Sequence, residues 1–407
     1  MNNEIPKIRF KGFDTEWVQF RAGDIFKSIS DKNHENLPVL SATQDKGMVY
    51  RDEVGINITY DEKSKKNYKR VTPNQFVIHL RSFQGGFAYS DKEGITSPAY
   101  TILDFKKKDE NSPLFWKEVL RSSSFIKRLE TVTYGIRDGR SISYSDFSTL
   151  NFYSSTIKEQ QKIGVFFKQL DDTIDLQKKT IGQYKKYKKM MLLKMFPQQC
   201  ESVPEVRFSG FDKIWERVVF SDLFKVSSGY AFKKSNYVEK GTPIVNGESI
   251  QHGEIFSNAW NYLPEDFLEK YESFILKTND IVLGLNRPIT NNQLKIARVP
   301  ESLNNSLLYQ RAGKIIFKTE NIDKEFSYQL LENEIFRFVL KEAVGSDQPF
   351  ISTTKLDKWS FLYPTDLNEQ QKIGDFFKEL NATIGLHEKK LANYQQLKKT
   401  LLQKMFI

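Results

Sequence analysis

The 407-residue sequence contains one cysteine, Cys200, so no disulfide can form within the chain. Histidine is nearly as scarce: His34, His79, His252 and His387 lie far apart, without the close spacing of a metal-ligand set. No run approaches the ~18 consecutive apolar residues of a membrane span, and the opening MNNEIPKIRF lacks the apolar core of a signal peptide. These absences predict a cytoplasmic protein with no structural zinc. Catalytic signatures are missing too. There is no GxxxxGK phosphate loop, no GxGxxG dinucleotide fingerprint, no HExxH and no GxSxG. Asp171, Asp172 and Asp175 share one helical stretch and read as solvent-facing charges rather than a metal cluster. A noncatalytic chain is expected.

Positive charge, in contrast, is in excess. The net charge is +10 and the pI about 9.2, which favours an anionic partner such as nucleic acid. The excess is uneven: residues 1–158 carry +5, 159–198 another +5, 199–368 carry −3 and 369–407 carry +3. If the third stretch binds a polyanion, it needs a local basic patch.

The phrase EQQKIG occurs at 159–164 and again at 369–374. Aligned on it, 159–196 and 369–406 share 21 of 38 residues and end alike in Lys194-Met195-Phe196 and Lys404-Met405-Phe406. A second repeat opens each half: Pro6, Arg9, Phe10, Gly12, Phe13, Asp14 and Trp17 return as Pro204, Arg207, Phe208, Gly210, Phe211, Asp212 and Trp215. Repetition over so long a period indicates a duplicated domain, not a solenoid. Between the shared edges the two interiors differ almost everywhere, as two related modules with separate binding preferences would.

The EQQKIG segments carry apolar residues every 3.5 positions, the seam of a coiled coil. In the first copy these are Ile163, Phe167, Leu170, Ile174, Ile181 and Tyr184; in the second they are Ile373, Phe377, Leu380, Ile384, Leu391 and Tyr394. Polar residues interrupt both stripes at matching places, Gln177 with His387 and Lys188 with Lys398. A helix of this length spans roughly 57 Å and needs a partner as long as itself. The other copy is the economical partner, paired antiparallel. Lys185, Lys186, Lys188, Lys189, Lys398 and Lys399 then decorate the helices, either as a solvated face or as contacts to DNA phosphates or an acidic subunit.

The blocks between the helices alternate short strand-like runs, such as 76–80, 100–103, 280–283 and 314–317, with helical patterns at 113–129 and 324–342. Their loops hold side chains suited to phosphates and base edges. In the first block the candidates are Lys63, Lys65, Lys66, Tyr68, Lys69, Arg70, Arg81, Gln84, Arg137 and Arg140. In the second they are Tyr230, Lys233, Lys234, Asn246, Gln251, Arg287, Asn291, Asn292, Gln293, Gln310, Arg311 and Gln348.

The order of variable block, EQQKI-type helix, variable block and EQQKI-type helix resembles the specificity (S, or HsdS) subunit of type I restriction-modification enzymes over the whole chain. The phrases Leu80-Arg81-Ser82-Phe83-Gln84-Gly85-Gly86-Phe87, Gly229-Tyr230-Ala231-Phe232-Lys233 and Gln348-Pro349-Phe350-Ile351-Ser352 fit its target-recognition domains. The resemblance implies an α+β chain: two pseudo-twofold-related globular mixed α/β target-recognition domains joined by two long antiparallel coiled-coil helices. Residues 1–158 would be recognition domain 1 and 159–198 the central spacer helix. Residues 199–368 would be recognition domain 2 and 369–407 the distal C-terminal spacer helix. Each domain would read half of a bipartite, asymmetric site in double-stranded DNA, and the helices would set the spacing and dock two modification (methyltransferase) subunits. It further implies S-adenosylmethionine in those subunits for adenine methylation, and ATP and Mg in the restriction subunits, with no cofactor held by this chain. The absence here of the NPP(F/Y) motif expected of the methyltransferase agrees with that division. A different class of function stays open on the residues alone: a coiled-coil structural adaptor binding proteins rather than DNA.

Overall fold

The structure, a computed structural model, describes residues 5–43, 46–54, 62–79, 87–129, 142–197, 201–342 and 349–406. The chain divides into two compact units, Met1–Thr180 with His387–Ile407, and Ile181–Leu386. Two helices of 39 residues, Ile157–Met195 and Leu367–Met405, each begin in one unit and end in the other. Every position of the 3.5-residue stripe is buried or half-buried, Leu391 and Tyr394 being among the half-buried ones.

In the first unit the start of the first long helix runs antiparallel to the end of the second. Phe167 packs on Phe406, Asp171 bonds Lys398 and Gln177 bonds His387, so one index falls as the other rises. In the second unit the roles exchange, with Tyr187 and Phe196 from the end of the first helix against Phe376 and Phe377 near the start of the second.

The first unit holds a four-stranded antiparallel sheet in the order Phe26–Ile29, Thr101–Phe105, Phe76–Ile78, Phe87–Tyr89. Phe26, Phe76, Phe105, Trp116 and Phe147 fill the space behind it. The helical pattern at 113–129 forms two helices, Pro113–Val119 and Ser123–Leu129, not one. Ser122 breaks it: its hydroxyl bonds Val119 O at 2.8 Å and receives Phe125 N at 3.2 Å, offering the backbone a local alternative to the helical ladder.

The second unit has an antiparallel sheet in the order Phe224–Ser228, Ala312–Phe317, Ile281–Gly284, Ile296–Arg298. A second, mixed sheet runs Tyr262–Leu263, Thr242–Val245, Ser306–Leu308, Ile275–Leu276. The helix Lys324–Glu342 packs beneath, with Phe326, Leu330, Ile335 and Phe338 in the core.

The repeated words are fasteners. Glu159 receives both arms of Arg9 at 2.6 and 2.8 Å, and Glu369 receives Arg207 at 2.6 and 2.8 Å. These bonds raise both guanidinium pKa values above the usual arginine range. Gln160 accepts Ser112 N and donates to Ser155 O; Gln370 accepts Asp323 N and donates to Pro364 O, all at 2.9 Å. At Gly164 and Gly374 a Cβ would lie 2.7 Å from the backbone N of Phe115 and Phe326, so only hydrogen fits against the neighbouring helix. The terminal Lys-Met-Phe words close the other side. Ile8 N donates to Lys404 O and Val206 N to Lys194 O, 2.9 Å each, while Phe406 packs on Trp17 and Phe196 on Trp215.

Two expectations about helix charges need correction. Asp171 is not solvent-facing: it bonds Lys398 at 2.5 Å and Lys117 at 3.2 Å, and only Asp172 and Asp175 are exposed. Burial pushes the Asp171 carboxyl up, but the hydrogen bonds and charges of Lys398 and Lys117 hold it below the usual range. Lys398 is likewise not on a solvated face, since it is 15% exposed and also lies 3.4 Å from Glu118. An aspartate from one helix and a glutamate from the first unit's helix Pro113–Val119 converge on it. Its counterpart Lys188, equally buried, lies 4.0 Å from Glu332 in the second unit.

Candidate nucleic-acid interface

The second unit contains an open cleft of about 1040 Å³ between its two sheets' loop ends. Four sequence candidates meet there: Lys234, Asn246, Arg287 and Arg311. The structure adds Lys295, Asn261, Asn286, Tyr237, Tyr309 and Phe350. Four cations therefore face one carboxylate, Glu248, and make this cleft a local basic patch in a block whose total charge is negative.

Backbone geometry sets these side chains. Leu285 N donates to Arg311 O at 3.0 Å, and a Cβ on Gly247 would come within 2.5 Å of that same oxygen, so glycine lets the walls approach. Asn246 closes an Asx turn, its carbonyl accepting Glu248 N at 2.8 Å and Ser249 N at 2.9 Å, which leaves its amide hydrogens for a ligand. Arg287 adopts φ +45°, in the left-handed region that a non-glycine residue rarely takes. Its N–H is held by Pro349 O at 3.0 Å. The guanidinium groups of Arg287 and Arg311 and the ammonium groups of Lys234 and Lys295 have no hydrogen-bond or ion-pair partner among the described residues. Elsewhere in the unit Arg207, Arg298 and Arg337 are paired with Glu369, Glu325 and Glu334.

The remaining candidates of the second block that the structure describes lie outside the cleft lining. Tyr230 packs at a tilt of 46° against Tyr271, with 4.6 Å between centroids, within an aromatic cluster. Lys233 is exposed. Gln251 donates to Glu248 O at 2.8 Å. Asn291 and Asn292, with φ +51° and +58°, form the two-residue turn between Ile289–Thr290 and Gln293–Leu294, a backbone asparagine tolerates. Gln293 and Gln310 are exposed beside it and beside Arg311 in sequence.

In the first unit Lys63, Lys65 and Lys66 lie on the turn Glu62–Asn67; Lys65 is half-buried and Lys66 exposed. Tyr68 is half-buried. Lys69 donates to Tyr100 O at 2.7 Å, and burial followed by the charge of Lys32 pushes its pKa down. Arg70 bonds Glu93 at 2.5 and 2.8 Å and Asp31 at 3.4 Å, so its fork is already occupied. Arg81, Gln84, Arg137, Arg140 and Gln348 lie outside the described residues. Lys295 and Phe350 carried no composition signal. For Phe350 the pointer in the sequence was the word Gln348-Pro349-Phe350; Lys295 had none.

Among the described residues no group of three or more His, Cys, Asp or Glu could hold a metal, and no helix is long and apolar enough to cross a membrane.

The family described as type I restriction modification DNA specificity domain matches residues 15–185 and again 213–396. The type I restriction enzyme MjaVIII specificity subunit of Methanocaldococcus jannaschii is 28% identical over 399 residues, 95% of this chain and 91% of that protein. The EcoAI specificity subunit of Escherichia coli is 30% identical over 172 residues, 42% of this chain and 29% of that protein. Among solved structures, the S subunit of a type-I restriction-modification system from M. genitalium aligns over 99% of both chains, with TM-score 0.62 at 15% identity. A chain from a study of complex assembly and conformational transition of the type I R-M system aligns over 97% and 98%, with TM-score 0.55 at 12% identity.

Proposed function

The chain belongs to the DNA specificity subunits of type I restriction-modification systems, and from that premise we propose that it is a noncatalytic two-part reader of double-stranded DNA. Each recognition domain, 1–158 and 199–368, reads one half of a bipartite, asymmetric site, and the paired helices set the gap. The observation that carries this is one fastening frame built twice around unlike contents, with four cations that have no partner among the described residues gathered in the cleft of the second unit. A protein-binding adaptor would not need that concentration of free positive charge.

The helices also suit the docking of a repeated partner. Leu176 and Leu386 occupy matching positions in the two copies and are both exposed, as are Tyr187 and Leu397. Apolar side chains left in solvent at equivalent places fit two modification subunits, one held by each unit. Methyl transfer to adenine from S-adenosylmethionine then belongs to those subunits, and ATP- and Mg-dependent work to the restriction subunits, all within the cytoplasm.

The test is modular exchange. Replacing 199–368 by the corresponding block of another family member, in the assembled complex, changes one half of the methylated site and preserves the other. Methylation mapping in which both halves change, or neither, refutes the reading.

A further inference from the structure

We propose that Asn286, Arg287 and Phe350 form a base-reading triplet at the mouth of the second unit's cleft, in which Phe350 packs on the 5-methyl group of a thymine in the major groove beside a base pair read by Arg287. This rests on the DNA-reading function proposed above.

The triplet stands on a rigid base. The chain returns at 349–351 and lies antiparallel along 285–287: Arg287 N bonds Pro349 O at 3.0 Å, Ile351 N bonds Leu285 O at 2.8 Å, and Asn286 bridges Phe350. Residues opposite one another across an antiparallel pair share a face, and faces alternate along the strand. Leu285 and Ile351 accordingly point together into the core, 7% and 3% exposed. Asn286 and Phe350 are carried together to the other face, into the cleft.

Phe350 is 64% exposed and makes no ring contact among the described residues. Held by two backbone hydrogen bonds with most of its ring in water, the phenyl group offers an apolar surface to a partner outside the chain. Arg287, next along the strand, lines the same cleft: its left-handed backbone, which side-chain-bearing residues seldom adopt, interrupts the alternation that would turn it toward the face of Leu285, and its guanidinium has no partner among the described residues. The three side chains match base chemistry. An arginine fork fits guanine O6 and N7, an asparagine amide fits adenine N6 and N7, and a phenyl ring fits the methyl group that distinguishes thymine. The surrounding cations select a duplex over an uncharged apolar partner.

The experiment uses the full chain assembled with its modification subunits, on a duplex carrying its mapped site. Each thymine of the half-site read by residues 199–368 is replaced in turn by deoxyuridine, which removes only the 5-methyl group. One replacement is expected to weaken wild-type binding about fivefold. Phe350→Ala should weaken binding to the unmodified site by a similar factor and be indifferent to that replacement. Arg287→Ala should relax the preference at the neighbouring base pair. Phe350 is exposed, so its variant should fold, and unaltered recognition of the other half-site checks this in the same assay. The triplet is overturned if no thymine in that half responds, if the half contains none, or if Phe350→Ala remains as sensitive to deoxyuridine as the wild type. It is also overturned if 2-aminopurine fluorescence reports Phe350-dependent unstacking, which would make the ring a wedge between bases. A wild-type complex that is sequence-specific but indifferent to deoxyuridine sinks the triplet alone. A wild-type complex without sequence preference sinks the DNA-reading function itself.

Discussion

Salt dependence offers the most direct physical test of the cleft. Lys234, Lys295 and Arg311 line it without side-chain partners among the described residues, while Arg287 is assigned to a base edge. If each of the three neutralises one phosphate, this cleft contributes about −2.7 to the slope of log affinity against log salt, at about −0.9 per contact. Raising salt from about 50 to about 200 mM then weakens binding about 40-fold through these contacts. Arg311→Ala removes one contact and leaves about 12-fold, so the ratio of wild-type to variant affinity shrinks about 3.5-fold across the window. The exposed Arg311 guanidinium bonds no other group among the described residues; its backbone O anchors the Leu285 wall, and alanine retains that oxygen. The assay is a fluorescence-anisotropy titration of the complex on its own DNA site at four or five salt concentrations, with Lys194→Ala, whose partner is Glu205, as the control. A slope for Arg311→Ala equal to that of the wild type, or a comparable change in the control, refutes the assignment of this cleft to phosphates.

The fasteners make separate predictions. Glu369→Ala leaves Arg207 with Lys213 O alone and takes the acceptor from the Trp215 indole, so urea unfolding should show a loss of about 3 kcal/mol. The double change Arg207→Leu with Glu369→Leu should recover much of it, and a single-variant loss below about 0.5 kcal/mol counts against the clamp. Asp171 titrates below its usual value, so it stabilises the fold above its unfolded pKa, near ~3.9, and that contribution fades as pH falls through the lower folded value. Asp171→Asn should therefore lose about 1–2 kcal/mol at neutral pH, while Lys398 keeps Glu118, and should flatten the acid limb of the stability curve. An acid limb identical to that of the wild type would contradict this.

Periodicity and repetition by themselves determined the duplicated frame, the two long helices and the residues of their seam. A stripe recurring every 3.5 positions through the 38-residue repeat admits one regular structure, whatever surrounds it. The charge balance likewise showed that any polyanion bound by the second block would need a local basic patch, without locating one. Tertiary structure decided which helix end closes which unit. Lys194-Met195-Phe196 and Lys404-Met405-Phe406 are the same words, yet Trp17 takes Phe406 and Trp215 takes Phe196. It also decided that Lys398, one lysine in a run, is an internal ion-pair partner, because Asp171 and Glu118 reach it from segments 227 and 280 positions away. The cleft followed the same rule: Lys234, Arg287, Lys295, Arg311 and Phe350 come from separate loops, and only the sheets beneath bring them together. Local sequence carries the preference of each segment for helix, strand or turn. Convergence of distant side chains depends on how those segments pack, and no short-range pattern encodes it.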